Sequence, residues 1–225
     1  MAGKADLFRS VKDMFKPDVR QEYFAMVHRE TGEKRPRTLE DHYAEVADAK
    51  LNPSVPDGIL IQYDTARNVH LYAWCAYRLY QVAERQAYAT LEMALRMRLG
   101  YRENSPPKPQ PQQKKGKKGK KQKQHQNPPT LRPLLNEALA KSLIRKEGFE
   151  HYHNLCREDP TRKSELEKDF VQVMIECMAF FRNNLAHGTE MVHPTGGFVI
   201  RMCCDIINQL YPIASSPAPV APATP

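Results

Sequence analysis

Apolar residues recur along much of this chain at steps of three and four, the period of one face of a helix. The longest run starts at Asp64 or Thr65, where Val69, Ala73, Ala76, Tyr80, Ala83, Ala87, Leu91 and Ala94 form a stripe with no Gly or Pro before Gly100. Unbroken, that helix is about 50 Å long at about 1.5 Å per residue, so a bend near Tyr80 to Glu84 is expected. The small side chains on the stripe let a neighbouring helix approach closely. Helical pattern resumes after Thr130 and Pro133, with Leu135, Leu139 and Leu143 on one face, and stops near Gly148. Ser164-Glu165-Leu166-Glu167 reads as a capping box. It opens a helix through Val171, Met174, Ile175, Met178, Ala179, Phe180 and Phe181, with Gly188 suited to a left-handed stop. Gly196-Gly197 precedes a last helix, Phe198 to about Leu210.

The first third is less regular. Pro17 fits the first turn of a helix carrying Val19, Tyr23, Met26 and Val27 on one face. Thr38 with Asp41 caps a second helix running to about Leu51, and Pro53, Pro56 and Gly58 interrupt it. Gly58 to Tyr63 reads as a short extended segment with no evident strand partner. Residues 104 to 129 are Pro, Gln, Gly and Lys with almost nothing apolar, too little to offset the entropy of ordering a backbone. The Pro- and Ala-rich tail from Pro212 has the same character. The expected architecture is all-α, an up-and-down helical bundle with a disordered Lys-rich insertion. It comprises an N-terminal helical extension (1–63), a helical domain (64–211) interrupted at 104–129, and an unstructured tail (212–225).

Charge changes this picture in one place. The chain carries 34 Lys and Arg against 26 Asp and Glu, a formal +8. Residues 101 to 130 hold nine of those bases and one acid, which leaves 25 of each sign elsewhere. The basic character therefore belongs to one loop. Five cysteines form no Cys-x-x-Cys pair, and four lie in apolar helical patterns, which reads as reduced thiols and a cytoplasmic protein. No stretch approaches the roughly 20 apolar residues needed to span a bilayer, so no membrane partner is expected.

The candidate chemistry lies at the end of the penultimate helix, in Arg182-Asn183-Asn184-Leu185-Ala186-His187-Gly188. A permanent cation, two amides and an imidazole able to donate or accept a proton suit phosphoryl-transfer chemistry without a metal, with RNA cleavage the natural candidate. At about 100° per residue, Asn183 and His187 share a face about 40° apart, whereas Arg182 and His187 lie about 140° apart. Arg182 and His187 therefore converge only if the helix frays at Gly188 or two copies meet across a symmetric dimer. The plainer reading is that both cations cap a helix C-terminus, where they complement the dipole.

This string matches the Arg-x4-His motif of the HEPN superfamily, and residues 164 to 211 resemble the closing helix pair of a HEPN domain. Leu91 to Leu99 also resembles a helix common in uncharacterised bacterial members. The resemblance covers about residues 64 to 211. It implies a homodimer with two motifs facing each other in a cleft and, in many members, a metal-independent endoribonuclease, some of them toxins or phage-defence effectors. Arg182, Asn183 and His187 then become the catalytic set. His187 moves a proton at the ribose 2′-hydroxyl or the leaving 5′-oxygen. Arg182 holds the scissile phosphate, and Asn183 orients the phosphate or the imidazole. The products are a 2′,3′-cyclic phosphate and a 5′-hydroxyl. Other members of the superfamily have lost catalysis and bind nucleic acid or protein, so an antitoxin or accessory protein is a further expected partner.

Lys114, Lys115, Lys117, Lys118, Lys120, Lys121 and Lys123 form a polycation that attracts phosphate backbones without reading sequence. They are candidate RNA-binding residues; the alternative is a solvated linker. Glu92 and Arg96 sit four apart in the order favourable for a helical ion pair. Arg67-Asn68-Val69-His70 echoes the motif superficially, but it lies at a helix start. His151 and His153, at i and i+2, point to different faces and make a poor metal site. With no Gly-rich phosphate loop, zinc-ligand spacing or Gly-x-Ser-x-Gly elbow, no cofactor is expected.

Overall fold

The computed structural model describes residues 8–28, 30–101, 129–187 and 196–213. These form seven α-helices: α1 (Leu39–Ala47), α2 (Asp57–Tyr72), α3 (Leu79–Leu99), α4 (Leu131–Ala140), α5 (Glu150–Glu158), α6 (Lys163–His187) and α7 (Gly196–Leu210). A small antiparallel hairpin, β1 (Ala25–Val27) and β2 (Lys34–Pro36), precedes them, with Ala25 opposite Pro36 and Val27 opposite Lys34. The fold is an all-α bundle. Gly188, the tail beyond Ile213 and residues 102–128, which hold all the lysines of the Lys-rich segment, lie outside the described residues.

The helix at the centre is α3, which packs against α2, α4, α6 and α7. Its small residues explain how: Ala83, Ala87 and Ala94 are fully buried, so neighbouring backbones come close, while Leu91 and Leu95 fill the space between them. Opposite them, α7 contributes Ile200, Cys203, Ile206, Ile207 and Leu210. Gly100, in the left-handed conformation at φ +82°, ends α3. The expected cap of α1 is present: Thr38 Oγ1 accepts the Asp41 N–H at 3.2 Å, and the Asp41 carboxylate accepts the Thr38 N–H at 2.8 Å. The capping box at 164–167 falls on side chains outside those described.

Three expectations are corrected. The long 64–99 helix is two helices, broken over residues 73–78. The break sits where the N-terminal segment supplies hydrogen-bond partners: Asp18 N–H donates to Trp74 O at 2.9 Å, Gln21 Nε2 to Ala73 O at 3.3 Å, and the Asp18 carboxylate accepts the Tyr77 N–H at 3.2 Å. No Gly or Pro marks the place, because the break is stabilised from outside the helix. Residues 58–63 are the first turns of α2 rather than an extended segment, and Ile59 and Tyr63 enter the core at helical spacing. The expected N-terminal helix is a single 3-10 stretch, Val19–Tyr23, followed by the hairpin. Its apolar residues Val19, Tyr23, Met26 and Val27 are exposed, so no core face holds a helix there.

Candidate functional site

The continuous α6 carries Arg182, Asn183 and His187 on its last two turns. Met174, Ile175, Met178, Ala179 and Leu185 are buried on one side of the helix. Arg182 lies within that buried arc, near its middle, and reaches toward α3. There its Nε donates to Glu92 Oε1 at 2.6 Å. The other carboxylate oxygen, Glu92 Oε2, accepts from Arg96 Nη2 at 2.7 Å, and Arg96 Nη2 also donates to Pro129 O at 3.3 Å. The Glu92 side chain is 7 % exposed, while those of Arg182 and Arg96 are 27 % and 29 %. One buried carboxylate thus serves two half-buried guanidiniums, leaving the triad with a net positive charge.

Beside it lies a cleft of about 230 Å³ lined by Arg85, Tyr88, Ala89, Glu92, Arg182, Leu185 and Ala186. Two arginines and one acid at its wall favour an anionic occupant, and a guanidinium bound through Nε still has its Nη donors to offer. Arg182 Nη1 also approaches Asn183 Oδ1 at 3.5 Å, the outer limit of a hydrogen bond. The structure therefore brings together Arg182, Asn183, Arg85 and Glu92. It does not bring His187 to them. His187 is exposed at the last described residue of α6, and among the described residues no hydrogen bond joins it to Arg182. Helix persists to His187, and the fraying at Gly188 that the spacing allowed lies outside the described residues. The seven candidate lysines from Lys114 to Lys123 lie outside the described residues.

Sequence reasoning paired Glu92 with Arg96 through their helical spacing, but missed Arg182 as the second partner and Arg85 as a neighbour. Ninety positions separate Glu92 from Arg182, and no local pattern encodes such a contact. It also missed a second polar cluster where α1, α2 and α3 meet. Here Arg37 Nη2 lies 2.5 Å from Glu45 Oε1 and 2.8 Å from His42 Nδ1. His70 Nε2 lies 3.1 Å from Glu45 Oε2, the two imidazoles stack with centroids 4.6 Å apart, and Tyr80 Oη approaches His42 Nδ1 at 3.3 Å. Both histidines are fully buried. Burial, with His70 and the Arg37 cation beside it, holds the His42 imidazole down at about 4, so it is neutral at physiological pH. His70 belongs to the stretch that superficially echoes the motif; its place is in this cluster.

A third feature is an apolar cavity of about 240 Å³ between α3, α6 and α7, walled by Tyr88, Met174, Met178, Phe181, Phe198 and Met202 among others. No family model, curated protein or solved structure matches this chain. No helix among the described residues is long and apolar enough to cross a membrane.

Proposed function

We propose that this protein is a metal-independent endoribonuclease of HEPN type that acts as a homodimer. The observation that carries the reading is the half-exposed Arg182, fixed through Nε at the wall of a cleft it shares with Arg85, one turn and a half before an exposed His187 on the same helix. A phosphodiester in that cleft meets guanidinium donors suited to its oxygens. The imidazole must come from elsewhere, because His187 and Arg182 diverge by about 140° on one helix.

A second copy supplies it. The outward face of α6 carries Val173, Cys177, Phe180, Asn184 and His187 at steps of four and three, all exposed, with Val173 56 % and Phe180 61 % accessible. An apolar stripe ending in the candidate imidazole is what a two-fold interface would use to bring proton-transfer groups to the partner's cleft. The 2′-hydroxyl then attacks in line and leaves a 2′,3′-cyclic phosphate and a 5′-hydroxyl. The Lys-rich segment raises the local concentration of RNA, and an antitoxin or accessory protein would be its cellular counterpart.

A second reading rests on the same triad. Arg182 held by a buried carboxylate is also a structural ion pair between α6 and α3, and the protein would then be a non-catalytic module binding nucleic acid or a partner protein. Incubation of the purified chain with total RNA in EDTA separates the two. Cleavage yielding cyclic phosphate ends, lost in His187→Ala with an unchanged melting temperature and absent on DNA, is the expected result. Equal activity in wild type and His187→Ala, or none in either, would remove the ribonuclease reading.

A further inference from the structure

We propose that His42, Glu45 and His70 form a binding site for a divalent transition metal such as Zn²⁺, in which the Arg37 guanidinium stands as the competing cation. Tyr80, in this cluster, and Glu92, in the cleft, are twelve residues apart on α3, about 18 Å at about 1.5 Å per residue. The site is therefore separate from the proposed cleavage chemistry and does not depend on it.

One donor atom from each of the three residues falls within 4.8 Å of the other two. Glu45 Oε2 lies 3.1 Å from His70 Nε2 and 3.8 Å from His42 Nδ1. Tetrahedral coordination at about 2.0–2.1 Å places donor atoms roughly 3.3–3.4 Å apart, so small side-chain adjustments close the site. Outer interactions point the same way. His42 Nε2 lies 2.9 Å from the His70 carbonyl oxygen, to which it can only donate. The lone pair is thereby fixed on Nδ1, which faces the cluster, the arrangement that orients imidazole ligands in metal sites. Tyr80 Oη is a nearby fourth donor atom. Glu45, with a side chain 35 % exposed, is the ligand nearest to solvent, and both histidines are fully buried.

Arg37 does not satisfy this cluster fully. Among the described residues, its Nε and His70 Nδ1 are both buried without a hydrogen-bond partner. No cation pairs with an Nε–H donor, but release of Arg37 to water would satisfy it. A guanidinium offers Glu45 and His42 a charge and two donors; a metal ion offers a charge and direct bonds to all three ligands. Binding therefore exchanges one cation for another and frees Arg37, which directly follows β2, from its hold on α1.

The test uses the full chain, stripped with EDTA and titrated with Zn²⁺ against a chromogenic chelator. One ion per chain is expected, bound at least tenfold more weakly by Glu45→Gln and His70→Gln and at least tenfold more tightly by Arg37→Met. The last change distinguishes this site from adventitious binding by surface histidines and thiols, which Arg37 does not touch. Circular dichroism checks folding, and Glu45→Gln, at the partly exposed ligand, decides the matter if His70→Gln unfolds. Affinity unchanged in Glu45→Gln, no tightening in Arg37→Met, or no ion held by either wild type or Arg37→Met overturns the proposal.

Discussion

Glu92 has little freedom: its carboxylate is 7 % exposed and both oxygens are engaged by guanidiniums from two helices. Removing one partner of a buried pair leaves charge uncompensated and costs about 3–5 kcal/mol where burial is complete. Arg182 and Arg96 retain partial access to water, so Glu92→Ala is expected to lose about 1–3 kcal/mol in urea unfolding. If Arg182 is catalytic, the isosteric Glu92→Gln should also lower kcat, because it leaves one acceptor oxygen for two guanidiniums and removes the charge that holds Arg182 at the cleft. Activity insensitive to Glu92→Gln would make the triad purely structural. Gly196 is a different case, set by space. A Cβ there would lie 3.1 Å from His70 Nδ1 and 3.3 Å from a Tyr80 ring carbon. Gly196→Ala should therefore destabilise by about 1–3 kcal/mol, the usual range for overpacking; an unchanged melting temperature would mean that the His70 ring yields freely. The Glu92–Arg96 half of the triad was legible because the two residues lie four apart on one helix. The Arg182 half, and the reason for Gly196, were not, since both depend on which helices meet.

Helices α6 and α7 carry the next two predictions. Phe180, 61 % exposed in the middle of the outward stripe of α6, belongs to the proposed interface. Phe180→Glu should convert a dimer into a monomer by light scattering and abolish cleavage with it, while leaving helix content intact. A wild-type chain that is monomeric at every concentration would exclude the arrangement. On α7, burial pushes the Asp205 carboxyl up to about 6, and nearby Glu150 adds to the rise. Its folded-state pKa lies above the unfolded value, so its contribution is present at pH 4 and lost as pH rises through 6. The lowered His42 acts in the opposite direction: its contribution is intact above about 6.5 and lost as pH falls toward 4. The two slopes oppose each other across the same window. Asp205→Asn, which keeps an oxygen to accept the Glu150 N–H, should raise stability at pH 7.5, with the gain vanishing near pH 4. A gain independent of pH would contradict this assignment. Helix α6, the cap of α1 and the extent of α7 could be read from periodicity and local hydrogen-bonding chemistry, because those signals act within a few residues. The break between α2 and α3 could not, because Asp18 and Gln21 create it from more than fifty residues away.

For the molecule as a whole, the uneven charge is the dominant fact. Outside residues 101–130 the chain is electrically balanced, so any general affinity for RNA should reside in that segment. Replacing residues 104–127 with a short Gly-Ser linker should weaken RNA binding and flatten its salt dependence, since fewer counterions are released. The melting temperature should stay within about 2 °C, the shift that corresponds to about 0.5 kcal/mol. A salt slope identical to wild type would show that the segment is only a linker.

Amphipathic period, capping residues and charge distribution are properties of neighbouring residues, so the chain alone determined that it would be helical, where most helices lie, and that its excess charge is confined to one segment. Its motif also placed Arg182 and His187 on one helix end. Which groups those residues face was decided only by packing: Arg182 meets Glu92, His187 meets solvent, and His42 and His70 stack against each other out of water. Contacts between distant positions carry no periodic signature, and their energy is realised only once α3 has gathered the other helices around it.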